Sequence, residues 1–143
     1  MVHFERQYQS VPESEEVMLD DLKKVLVSAA VRDPLRFRFM LAVSEAFTNA
    51  LVHGNGKDPS KRVFLVVDIN SERLLADVSD EGKRGLEAIP GRRPADLLAE
   101  NGRGIPLIRH YAQEVKFAET GTGGLKVCLR FDRSTRIAKN SFI

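Results

Sequence analysis

The sequence predicts an α+β domain: a two-layer α/β sandwich with helices on one face of a mixed, mainly antiparallel sheet and a flexible lid over one end. Three observations lead there. Two helix-period stretches stand together between residues 13 and 53. A β-branched hairpin follows at 62–79, and a second hairpin lies at 114–131. Strands come in adjacent pairs and the helices gather apart from them, unlike alternating βαβ units. The 143 residues fit one domain, 1–143, with a core over about 5–132 and a polar tail at 133–143.

Each element has a local cause. Val2–Gln9 alternates weakly and reads as a strand at a sheet edge. Pro12 suits the first turn of a helix, and Glu13, Glu15 and Glu16 favour the positive end of its dipole. Met18, Leu22, Val25, Leu26 and Ala29 then recur at helical spacing. Arg32-Asp33-Pro34 interrupts, with Asp33 placed to cap a second helix and Pro34 at its first position. That helix should run to about His53, where Gly54-Asn55-Gly56 and Pro59 end it. Arg62–Ile69 and Arg73–Ser79 form a hairpin across Asn70-Ser71-Glu72. Its apolar residues on both faces predict a central position under a helix layer. Residues 80–104 carry Gly82, Gly85, Gly91, Gly102 and Gly104, and a connection this long is usually functional. A short helical turn at 95–99 is expected within it. Ile105–Tyr111 reads as a short helix, and Glu114–Ala118 and Leu125–Phe131 as strands around a glycine-rich turn.

Composition excludes several classes. Charged residues are 29%, apolar residues 43%, and the net charge is +2. That charge is too small to imply direct nucleic-acid binding, and no aromatic-basic platform is present. Residues 83–93 and 130–139 are basic and 13–21 acidic, which reads first as solvated surface. The single cysteine, Cys128, excludes an internal disulfide and a multi-cysteine metal site, and its alternating apolar surroundings make it a small packing residue. No apolar run approaches the roughly 18–20 residues of a membrane span, and no secretory h-region is visible. A cytoplasmic location without membrane contact is expected.

The chemistry starts from residues 41–54, LAVSEAFTNALVHG. Glu45 and Asn49 are one helical turn apart and share a face. Most of the remaining helix surface is apolar, so the helix should be buried, and a buried carboxylate beside a buried amide needs a partner. A hydrated metal ion with a phosphate suits that pair of oxygen ligands. Two other segments bracket it. In Val78-Ser79-Asp80-Glu81-Gly82 a carboxylate sits at a strand end beside a glycine; alone, this is an ordinary Asp-x-Gly turn. In Asn101-Gly102-Arg103-Gly104-Ile105-Pro106 glycines lead into a helix N-terminus, whose free N–H groups suit phosphate, and Arg103 adds a charged donor. A lone GxG is weak. No P-loop and no Cys/His cluster is present.

In combination and in this order, E-x-x-x-N on a helix, strand-D-x-G, GRG-helix and a Thr/Gly-rich turn before the last strand resemble the GHKL (Bergerat-fold) ATP-binding superfamily. SEAFTNALVHG and GRGIPLIRHYAQEVKF look like the small anti-sigma-factor serine/threonine kinases. The resemblance covers about residues 5–132. It implies ATP and Mg²⁺ as cofactors. Asn49 looks like the N-box asparagine that binds Mg²⁺, and Glu45 like the glutamate that acts as general base on the acceptor hydroxyl. Asp80 looks like the aspartate that accepts from the adenine amino group, with Gly82 letting the base approach the backbone. Gly102 and Gly104 look like the glycines of the ATP lid, with Arg103 a phosphate contact. His53 is read as a packed or capping residue. Two departures stand out. Gly85 lies one position beyond the second glycine of the usual D-x-G-x-G, and Gly124-Leu125-Lys126-Val127 replaces a threonine-bearing turn that supports adenine.

The resemblance therefore implies an anti-sigma factor that phosphorylates a serine of a STAS-type anti-anti-sigma antagonist, sequesters a sigma factor and forms a homodimer. The alternative is a nucleotide-gated partner-binding switch without kinase activity. A detached histidine-kinase catalytic domain is a third reading, for which these 143 residues hold no phospho-accepting helix pair.

Overall fold

The computed structural model describes residues 1–88 and 104–133. The elements are β1 (Val2–Gln9), α1 (Glu13–Ser28), α2 (Leu35–Asn49) continued by a π-helical turn (Ala50–Gly54), β2 (Arg62–Ile69), β3 (Arg73–Ser79), a 3₁₀ turn (Gly85–Ala88), α3 (Gly104–Tyr111), β4 (Glu114–Glu119) and β5 (Leu125–Asp132). The strands form one sheet in the order β1-β2-β3-β5-β4. All four pairings are antiparallel, so the parallel component of the expected mixed sheet is absent among the described residues. The expected helix at 95–99 lies outside the described residues.

The core lies between the helices and one sheet face. Alternation puts Val63, Leu65, Val67 and Ile69 of β2, Leu74, Ala76 and Val78 of β3, and Leu125, Val127, Leu129 and Phe131 of β5 inward. α1 buries Met18, Leu22 and Leu26, four residues apart, and α2 buries Phe39, Ala42, Val43, Ala46 and Phe47. Each large buried side chain contributes about 1.5–3 kcal/mol of transfer free energy. Edge-to-face ring pairs set the docking of α2: Tyr8 on Phe47 at 5.5 Å, and Phe39 on Phe131 at 5.2 Å between centroids. The β2–β3 hairpin is central, as expected, but only one of its faces is fully buried. On the other, Phe64, Val66 and Asp77 are half-buried and Leu75 is exposed. Among the described residues no helix is long and apolar enough to cross a membrane.

Two boundaries differ from the expectation. Leu35, not Pro34, is the first residue of α2, and Asp33 Oδ1 accepts from the Phe37 N–H at 3.1 Å. Regular α-helix stops at Asn49, and the chain widens into the π turn, where the Asn55 N–H reaches back five residues to the Ala50 carbonyl at 2.8 Å. That widening decides where Gly54 and Asn55 point.

Candidate functional site

α2 carries the first pair. Asn49 is 7% exposed, and its Nδ2 has no hydrogen-bond partner among the described residues. Buried amides without a partner are rare. The two ends of an amide are interchangeable by a flip, so an orphaned amide end fits an oxygen ligand for a hydrated metal ion. One turn earlier, Glu45 is half-buried. Burial raises its pKa, and the Glu15 carboxylate raises it further. Glu15 comes from α1 and is held beside α2 by the Ser44 hydroxyl, which donates to it at 2.8 Å. A partly desolvated carboxylate is a stronger base than one in water.

Asp80 marks the other end. It follows β3 directly and is 3% exposed. Its Oδ1 accepts the N–H groups of Gly82 at 2.9 Å and Leu125 at 3.2 Å, and its own N–H donates to the Leu125 carbonyl at 3.1 Å. Burial pushes its pKa up; the two N–H donors and Lys61 act the other way. Both donors fall on Oδ1, and Oδ2 faces Gly54. Three glycines close around this carboxylate. A Cβ on Gly54 would stand 2.0 Å from Asp80 Oδ2, one on Gly82 2.1 Å from the Gly54 carbonyl oxygen, and one on Gly124 2.2 Å from the Asp80 carbonyl oxygen. The helix end, the β3 exit and the β5 entrance thus meet at a point with no room for a side chain. Gly82 is required by the protein's own Gly54 carbonyl.

Asn55 completes the junction. It is 2% exposed. Its Nδ2 donates to Ser10 Oγ at 2.7 Å and to the Arg62 carbonyl at 2.9 Å, and its Oδ1 accepts the Glu81 N–H at 2.8 Å.

The predicted residues are distributed as follows. Glu45 and Asn49 sit on α2, Asp80 and Gly82 at the β3 exit, and Gly104 opens α3, which packs against α2. Gly102 and Arg103 lie outside the described residues. The displaced Gly85 has φ +52° and faces Glu119, whose Oε1 accepts the Leu86 N–H at 3.3 Å. Thr120 does not reach Asp80: its hydroxyl accepts the Gly124 N–H at 2.8 Å and shapes the β4–β5 turn. The sequence gives no sign that Gly54, Asn55 and Gly124 hold the segment around Asp80. Gly54-Asn55-Gly56 carries only a helix-stop signal, because burial of Asn55 depends on long-range pairing.

A family model described as "Histidine kinase-like ATPase domain" matches residues 8–131. The anti-sigma F factor of Shouchella clausii (strain KSM-K16) is 31% identical over 78 residues, 52% of this chain and 53% of that protein. The anti-sigma F factor of Geobacillus thermodenitrificans (strain NG80-2) is 32% identical over 92 residues, 62% of this chain and 63% of that protein. The match therefore spans less than two thirds of these curated relatives. Among solved structures, the RsbU and RsbW domains of a Mycobacterium tuberculosis protein give a TM-score of 0.67 at 16% identity, covering 92% of this chain and 32% of that one, a likeness of fold. The blue-light activated histidine kinase of Erythrobacter litoralis EL346 gives 0.54 at 28% identity, covering 73% of this chain and 32% of that one. With α1 to α3, strands β2 to β4 and the Glu45–Asn49 and Asp80 ends all inside the matched stretch, the chain belongs to the histidine kinase-like ATPase domain family.

Proposed function

We propose that this chain is an anti-sigma factor with serine/threonine protein kinase activity. It binds ATP with Mg²⁺, phosphorylates a serine on a STAS-type anti-anti-sigma antagonist, and sequesters a sigma factor, acting in the cytoplasm as a homodimer. The observation that carries the kinase half is the α2 pair: a half-buried carboxylate with a raised pKa, one turn from a buried amide whose Nδ2 has no hydrogen-bond partner among the described residues. The similarity to anti-sigma F factors supports the regulatory half.

The residues divide the work. Asp80 Oδ2 accepts a hydrogen bond from the adenine amino group, and the Gly54–Gly82–Gly124 junction fixes that carboxylate. Asn49 supplies an oxygen ligand for Mg²⁺, which neutralises charge on the phosphate oxygens when bound. Gly102, Arg103 and Gly104 form the phosphate end at the start of α3. Glu45 accepts the proton of the serine hydroxyl as that oxygen bonds to the γ-phosphorus, the bond from the γ-phosphorus to the bridging oxygen breaks, and ADP leaves.

Incubation with ATP, Mg²⁺ and a STAS-type antagonist should yield phosphoserine on the antagonist. Normal antagonist binding without transfer would instead establish the nucleotide-gated switch. That reading is favoured by one feature, the buried Leu125 at the position where threonine would support the base.

A further inference from the structure

Asn55 holds a closed ring of hydrogen bonds. Its Nδ2 donates to the Arg62 carbonyl at 2.9 Å, the Arg62 N–H donates to Glu81 Oε1 at 2.5 Å, and the Glu81 N–H donates to Asn55 Oδ1 at 2.8 Å. A second Nδ2 hydrogen bond goes to Ser10 Oγ, and Ser10, fully buried, is itself tied to the Lys61 carbonyl by both Oγ and N–H. One side chain thus joins the end of β1, the end of the π turn, the start of β2 and the turn after β3. Glu81 is the residue between Asp80 and Gly82. Asn55 follows Gly54, the residue that abuts both Asp80 and Gly82. The bond at Glu81 and the contact at Gly54 hold the same two segments in register from adjacent residues.

We infer that Asn55 is a positioning residue that sets the distance between the Glu45–Asn49 end of the site and the Asp80–Gly82 end, and so the selectivity for the nucleotide base. This rests on reading the site as a nucleotide pocket. The geometry gives the mechanism. Glu45, Asn49 and Asn55 ride on one continuous helix and π turn, while Asp80 and Gly82 ride on the β3 exit. The Asn55 side chain joins the two through one hydrogen bond, from the Glu81 N–H to its Oδ1, while its Nδ2 anchors the amide to Ser10 and to the start of β2. A buried network of this kind loses more than one bond when its centre is removed, because the Glu81 N–H and Arg62 carbonyl are both left without their partner. Asn55 touches no reacting atom in this scheme. It acts through the Asp80 carboxylate.

The test compares the wild-type chain with Asn55→Ala and Ser10→Ala. Ser10→Ala removes one Nδ2 partner on the side away from Glu81 and serves as a measure of purely structural loss. Three ligands separate the ends: ATP, ITP, which carries an oxygen in place of the adenine amino group, and Mg²⁺ tripolyphosphate, which has no base. Asn55→Ala should weaken ATP by about tenfold, erase most of the preference for ATP over ITP, and leave tripolyphosphate within about twofold. Ser10→Ala should lower the melting temperature but keep the ATP-to-ITP ratio. Amide hydrogen exchange at Glu81 and Gly82 should speed up in Asn55→Ala well beyond any change in Ser10→Ala. An unchanged ATP-to-ITP ratio in Asn55→Ala, or equal losses on ATP and tripolyphosphate, overturns the inference. Failure of the wild type to bind ATP overturns the nucleotide reading and the selectivity claim with it; the exchange data then still decide whether Asn55 holds the turn.

Discussion

Replacing Gly82 with alanine tests the junction around Asp80 directly. The new Cβ would sit 2.1 Å from the Gly54 carbonyl oxygen, 2.8 Å from its carbon and 3.1 Å from Asp80 Oδ1. The first two atoms are backbone, so no side-chain rotation relieves the clash. Ordinary contact requires a separation of more than about 1 Å beyond that. Gly82 does not adopt a left-handed conformation, so the cost is steric and not one of backbone preference. Forced packing of this kind costs about 1–3 kcal/mol of stability. A displacement of about 1 Å at a binding carboxylate costs on the order of 10²-fold in function, or about 2.7 kcal/mol. Gly121→Ala is the matched control: among the described residues nothing beyond its chain neighbours lies within 4 Å of the Cβ it would gain. Isothermal titration with ATP and Mg²⁺, alongside thermal melting, should show affinity falling about 100-fold in Gly82→Ala and staying within twofold in Gly121→Ala. Gly82→Ala binding ATP as the wild type does would refute the claim that this close approach holds the base end in place.

Other substitutions separate the remaining roles. Asn49→Ala should abolish the Mg²⁺-dependent part of ATP affinity, measured as the difference between titrations with Mg²⁺ and with EDTA; an unchanged difference contradicts the metal role. Glu45→Gln should keep ATP affinity within about threefold and lower phosphoryl transfer by about 10²–10⁴-fold. The same change should alter stability in a pH-dependent way. The folded-state pKa of Glu45 is raised by burial and by Glu15, so its ionised form carries a cost that is absent below the unfolded pKa and grows as pH rises toward the folded value. Glu45→Gln should therefore raise the melting temperature at about pH 7.5 and lose that advantage near about pH 4, as scanning calorimetry across pH will show. Glu15→Gln removes the smaller cause of the shift, so the acidic limb of the transfer rate should move to lower pH while the plateau rate holds; no movement contradicts the coupling of Glu15 to Glu45.

Local chemistry made much of this legible. The β-branched run Arg62–Ile69 declares itself by composition, and the Pro12 and Asp33-Pro34 signals place both helix starts to within a residue or two. Glu45 and Asn49 were visible because polar residues one turn apart on an apolar helix conflict with burial. Asp80 was visible as a carboxylate at the end of an apolar strand. The rest depends on distant partners. Nothing near Gly54 reveals that its Cβ would meet Asp80, twenty-six residues on. Asn55 looks like half of an Asn-Gly turn, and only the π turn and the β1–β2 pairing bury its amide. The strand order that places β5 between β3 and β4, and so brings Leu125 onto Asp80, follows from how the second hairpin docks. Gly85 looked like a displaced pocket glycine, whereas its left-handed backbone serves a contact with Glu119.

The central claim is that Glu45 takes the proton from a serine that receives the γ-phosphoryl group of ATP. Single-turnover transfer from γ-labelled ATP to a STAS-type antagonist measures it most directly, run with the wild type and Glu45→Gln at saturating ATP and Mg²⁺. The account predicts labelled phosphoserine with the wild type and a rate at least about 10²-fold lower with Glu45→Gln, at comparable ATP occupancy. No labelled phosphoserine with the wild type, or equal rates for the two proteins, would contradict it.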